Sequence, residues 1–95
     1  MNVETYALRK GDVIDWDGSP YSVRNVQGVD IDPRMVRAEE WVIQVSEVGV
    51  GGELSPVLHT IIAGDSQLWR TVRIRGAKYT ASQYQQLWDF EGQVY

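Results

Sequence analysis

Asp17-Gly18 separates two short runs of alternating apolar and polar residues, and this pairing constrains the fold more than any other feature of the chain. Asp and Gly both tolerate the positive φ that a two-residue type I′ turn demands, so the dipeptide predicts a β-hairpin over residues 13–28. Val13 to Trp16 supplies the first strand, with Ile14 and Trp16 on one face. Pro20 to Gln27 supplies the second, with Tyr21 and Val23 on one side. The alternation then slips to Val26, which predicts a bulge near Arg24-Asn25 or the end of regular pairing.

The same period of two returns downstream. Residues 29–37 contain Pro33 and have no clear period, so they read as a loop. Ala38 to Val48 reads as a long strand with Trp41, Ile43 and Val45 inward and Glu40, Gln44 and Ser46 outward. Gly49 to Gly52 is a turn. Val57 to Ala63 is apolar on both faces, the pattern of a central strand. Gly64-Asp65-Ser66 turns the chain again, and Leu68 to Ile74 alternates once more. That last strand would place Leu68, Val72 and Ile74 on one face and Trp69, Thr71, Arg73 and Arg75 on the other.

Only the C-terminal part changes period. Thr80 and Gln83 stand at capping-box spacing, and Ala81, Tyr84, Leu87 and Trp88 then share one helical face, predicting a helix over about 81–90. Gly92 is the expected stop. The expected fold is therefore mainly β: a small, SH3-like, partly open barrel of about five antiparallel strands with a short C-terminal helix. At 95 residues the chain is expected to form a single domain spanning 1–95.

Residues 8–27 carry a resemblance beyond the hairpin itself. Lys10-Gly11-Asp12, Asp17-Gly18, Pro20-Tyr21 and Val23 follow the opening pattern of SH3-like barrels, closest to the N-terminal domain of elongation factor P and its relatives. In that family the next loop carries a modified Lys or an Arg between glycines. This chain has Val29-Asp-Ile-Asp-Pro-Arg34 there, so the resemblance implies the barrel type and no translation-factor role.

The composition narrows the chemistry. There is no cysteine, which removes disulfides, thiolate nucleophiles and Cys-based zinc sites. No apolar run approaches the ~20 residues that span a bilayer, and Met-Asn-Val-Glu-Thr lacks the character of a secretory signal. The expectation is a cytoplasmic protein without membrane contact. The net charge of −4 is unevenly spread. Residues 12–65 hold ten acids against three bases, whereas residues 66–88 hold four bases and no acid. Overall acidity disfavours a dedicated nucleic-acid binder, and the basic segment keeps the option open.

No constellation reads as catalytic. His59 is the sole histidine, and its mid-strand position suits a core or edge side chain better than a general base. Gly64-Asp65-Ser66 resembles the nucleophile block of GDSL-type hydrolases, but no histidine follows Ser66 and the residue types are those of a turn. Asp15, Asp17, Asp30 and Asp32 do not meet the EF-hand spacing, since Met35 and Trp41 stand where its Gly and Glu would fall. Gly49 to Gly52 lacks the Lys and helix of a phosphate cradle. No cofactor or metal is expected.

Two surfaces stand out as partner-binding candidates. Trp69, Arg73 and Arg75, with Lys78 beyond, would join an aromatic ring to guanidinium groups on one strand face, suited to an acidic protein partner or to phosphates and stacked bases. The alternative is a solvent face whose arginines cover Trp69 and pair with acids of a neighbouring strand. The second surface gathers Tyr79, Tyr84, Trp88, Phe90 and Tyr95, more rings than one short helix needs for packing. The expectation is thus a non-catalytic protein-interaction module, partnered by another protein or by itself. The alternatives are a nucleic-acid-binding barrel using the Trp69/Arg73/Arg75 face and a small structural or assembly subunit of phage type.

Overall fold

The structure, a computed structural model, describes residues 1–29, 40–73 and 79–91. The chain is mainly β. Six strands form one antiparallel sheet: β1 (Asn2–Glu4), β2 (Val13–Trp16), β3 (Ser19–Val29), β4 (Glu40–Glu47), β5 (His59–Gly64) and β6 (Leu68–Val72). A single-turn 3-10 segment (Thr5–Ala7) follows β1, and one helix, α1 (Ala81–Glu91), closes the described chain. The strand order is β1-β6-β2-β3-β4-β5. The two edges, β1 and β5, do not pair with each other among the described residues, so the sheet is a partly open barrel. No helix among the described residues is long and apolar enough to cross a membrane.

The hairpin that opened the sequence argument forms as expected. Trp16 pairs with Ser19, and Asp17 (φ 53°) and Gly18 (φ 80°) both take the left-handed conformation a type I′ turn needs. The register of β3 against β4 shifts between Val23 and Asn25, where the alternation slipped. The capping box is present too: Gln83 N–H donates to Thr80 Oγ1 (3.3 Å) and Thr80 N–H to Gln83 Oε1 (2.9 Å).

Directly opposed residues of antiparallel strands share a face, so the register assigns the core. Ile14 stands beside Thr71 and Tyr21, Val23 beside Val45, Val45 beside His59, and Ile43 beside Ile61. With Val3, Leu8, Ala63 and Trp69 these aliphatic residues fill the barrel interior. Among the described residues the opposite face is covered only near one end. There Val72, Val13, Ser22 and Ser46 stand in one row across four strands, and Tyr84 and Trp88 of α1 pack on Val13, Val72 and Val48.

Three expectations are corrected. The sheet has six strands, because Asn2–Glu4 pairs with β6 through Val3 opposite Trp69. A three-residue strand with one apolar side chain has no period to detect. The strand expected at Val57 begins at His59, because Leu54 and Ser55 pair with the end of β4 (Ser55 N–H to Glu47 O, 2.9 Å). Among the described residues it is also an edge strand and not a central one. The expected loop at 29–37 lies outside the described residues beyond Val29, which itself ends β3; Ile74 and Gly92 lie outside them as well.

Candidate interaction surface

The structure buries three of the expected partner-binding residues, Trp69, Tyr84 and Trp88. Trp69 is only 5% exposed: its side chain lies inside the barrel, and its indole N–H donates to Thr5 Oγ1 (2.9 Å). The expected pairing of Trp69 with an outward arginine face is therefore wrong, because β6 turns its Trp69–Thr71 side toward the core and exposes Leu68 and Arg70 instead. Tyr84 and Trp88 are buried under α1, so they too are packing residues. Arg75 and Lys78 lie outside the described residues, as does Tyr95. Phe90 is exposed.

Arg73 pairs with an acid, as the alternative expected, but that acid is Asp12 of a loop and not of a neighbouring strand, and Trp69 is not on a solvent face. Its Nε donates to Asp12 Oδ1 (2.9 Å) and its Nη2 to Asp12 Oδ2 (2.8 Å) and to Ala7 O (2.7 Å). The carboxylate is 3% exposed, and the bonds to it push the already high pKa of Arg73 further up. Asp12 also accepts from Arg9 N–H (2.8 Å), which ties the Arg9–Asp12 loop into a compact turn. Gly11 holds φ 95° in that turn, a conformation that favours glycine. Two backbone bonds seat the loop on β3: Gly11 N–H to Val23 O (2.8 Å) and Val23 N–H to Asp12 O (2.7 Å).

That loop carries Lys10 to the mouth of a groove. The bulge in β3 does the rest. An extra residue in one strand leaves two neighbours facing one residue of the partner, and here Arg24 and Asn25 both line the groove beside Gln44 of β4. Ser46 and Ser55 add hydroxyls, and Leu54, Pro56 and Leu58 form an apolar wall, enclosing about 420 Å³. Lys10 and Arg24 are exposed, make no ion pair among the described residues, and share the groove with no acidic side chain. In a chain of net charge −4 the groove is lined by two cations and, among the described residues, no acid. The bulge was legible in the broken alternation of β3. The apposition of Lys10 with Arg24 was not, because it depends on Arg73 fixing a loop 61 residues away.

A second cluster closes the barrel end near the hairpin turn. Trp16, Tyr21 and His59 meet edge-to-face, with centroids 4.9 Å apart for Trp16–Tyr21 and 5.6 Å for each ring against His59. Rings this close fill the space between them, so the cluster is packing. His59 is half-buried here, an edge-strand side chain. Burial, then Glu47 and Asp17, push the Tyr21 phenol up. Gly64-Asp65-Ser66 is a turn (Gln67 N–H to Gly64 O, 3.2 Å), and Asp65 Oδ1 accepts from the Trp41 indole (2.9 Å). Among the described residues no three His, Asp or Glu side chains gather as a ligand set.

The chain matches no protein family, no curated protein and no solved structure.

Proposed function

We propose that this domain is a non-catalytic protein-interaction module on an SH3-like barrel, and that the groove receives an extended partner segment presenting carboxylates beside an aliphatic side chain. The observation that supports this reading is that Lys10 and Arg24, without an ion pair among the described residues, line the groove with the apolar wall of Leu54, Pro56 and Leu58. Guanidinium and ammonium groups select carboxylates by charge and hydrogen bonding, the amides of Asn25 and Gln44 can satisfy the backbone of an extended chain, and the wall takes the aliphatic side chain.

Anisotropy with a fluorescent ten-residue peptide of alternating Glu and Leu tests the reading. Saturable binding is expected, lost at least tenfold on Lys10→Glu with Arg24→Glu, and absent for the Lys/Leu counterpart. No saturation by the Glu/Leu peptide overturns the proposal. Tighter binding of single-stranded RNA, falling steeply with salt, overturns it in favour of nucleic-acid recognition.

A further inference from the structure

The apolar wall of the groove hangs from a tight hairpin that follows β4. Val48 bridges Leu54, Gly49 N–H donates to Glu53 O (2.7 Å), Gly52 N–H to Gly49 O (3.0 Å) and Ser55 N–H to Glu47 O (2.9 Å). Leu54 and Ser55 belong to this hairpin, Pro56 follows directly, and all three line the groove. α1 holds the hairpin from its other side. The first N–H groups of a helix have no partner within it, and Ala81 N–H finds one in Gly49 O (3.3 Å). Gly52 (φ 90°) lies so close to the entry of α1 that an added Cβ would stand 3.0 Å from Tyr79 O. Val48, 3% exposed, packs with Tyr84 and Trp88. Yet among the described residues no residue of α1 lines the groove.

Resting on the groove reading, we propose that α1 positions the apolar wall of the groove, so that seating of α1 and occupation of the groove by an acidic-aliphatic segment are reciprocally coupled. The two states differ in named contacts. With α1 seated, the hairpin is held at Gly49, Gly52 and Val48. With α1 lifted, Gly49 O loses its Ala81 donor, Tyr79 leaves Gly52, and Val48 loses the rings that cover it. A partner that packs on Leu54 and Pro56 binds the seated state better, and a ligand shifts a population toward the state it binds better. The coupling then runs both ways by one factor: lifting α1 weakens the groove, and filling the groove holds α1 down. Lys10 and Arg24 stand outside this route, because the Arg9–Asp12 loop and β3 carry them. α1 therefore governs the apolar half of recognition and leaves the cationic half in place.

Ala81→Pro separates the seating of α1 from its formation. Proline is favoured at the first position of a helix, so α1 persists, but the substitution cuts the bond to Gly49 O and puts a ring carbon where the N–H pointed. Far-ultraviolet circular dichroism is expected to match that of the unmodified chain. Anisotropy is expected to show the Glu/Leu peptide bound about fivefold more weakly or worse. A Glu/Ser peptide of the same length, which offers carboxylates without the aliphatic side chain, is expected to bind both chains equally. In the unmodified chain, saturating Glu/Leu peptide is expected to slow hydrogen exchange across α1 by a similar factor, and Lys10→Glu with Arg24→Glu to abolish that slowing. The exchange measurement needs no substitution in α1 and decides even if Ala81→Pro fails to fold. No binding of the Glu/Leu peptide to the unmodified chain overturns the groove reading and the coupling with it. Undiminished Glu/Leu binding by Ala81→Pro, an equal loss for both peptides, or α1 exchange indifferent to bound peptide overturns the coupling alone.

Discussion

The two faces of the sheet are built to different standards. Inside the barrel, polar atoms are few and bonded: Trp69 Nε1 donates to Thr5 Oγ1, Thr5 donates to Gln67 O, and Thr71 Oγ1 donates to Trp69 O. On the helix side, Trp88 is fully buried, but its Nε1 finds no hydrogen-bond partner among the described residues, and neither does Asp15 Oδ1. An unpaired buried polar atom costs ~1–3 kcal/mol, so the helix side holds together by aromatic packing against a polar deficit. Two tryptophans of equal size thus do different work. Trp69 is a bonded part of the sheet's interior, while Trp88 is an apolar anchor whose nitrogen has no partner among the described residues. The difference predicts that α1 opens before the sheet, which hydrogen exchange would check.

The sharpest way to break this comparison is Trp69→Ala. Removing a buried ring from the interior is expected to cost about 3–5 kcal/mol and unfold much of the population, measured by chemical denaturation. Next comes Arg73→Ala, expected to cost ~1.5–3 kcal/mol by leaving the Asp12 carboxylate without its charged donor, a value bounded by the partial exposure of the arginine. Hydrogen exchange should then show the Arg9–Asp12 amides losing protection, and groove binding should weaken because Lys10 loses its place. A loop unaffected by Arg73→Ala would remove the link between the two.

A matched pair sharpens the comparison further. Both Trp69→Phe and Trp88→Phe lose ring volume, but only the first breaks a hydrogen bond, so it should cost ~1 kcal/mol more; equal costs would show the two nitrogens to be equivalent. Thr80→Ala removes the helix cap and is expected to cost about 1 kcal/mol, with exchange accelerated in α1 and unchanged in β2 to β4. A uniform loss would instead mean that sheet and helix open together. The smallest effect is the pH response of Tyr21. Its folded pKa lies above that of a free phenol, so the fold favours the neutral form. That contribution is complete below about pH 10 and drains away as pH rises through the folded pKa. Phenolate absorbance of the native chain against Tyr21→Phe should show one tyrosine titrating late.

Much of this architecture was legible because the signals were local. The hairpin turn needs two residues that accept positive φ, the capping box needs two side chains three positions apart, and the bulge announces itself when alternation breaks at Arg24-Asn25. The binding residues were legible only in part, because period-two reasoning assigns residues to two faces without saying which face is inside. Trp69 and Arg73 were placed on a common face, as β6 extends to Val72 with Trp69 and Thr71 buried together, but that face points inward. Val57 to Ala63 misled for a related reason. Apolar residues on both faces match a central strand, yet Ile62 is 70% exposed, so composition alone does not say how many neighbours a strand has.

The sequence by itself determined the β2–β3 hairpin, its bulge and the capped helix, because each rests on contacts between near neighbours in the chain. Only the tertiary structure decided which residues are available to a partner. Arg73 became a brace because Asp12 arrives beside it from 61 residues away, and Lys10 met Arg24 because that brace holds a loop against β3. Burial depends on what the rest of the chain brings to a side chain, and no local pattern carries that information.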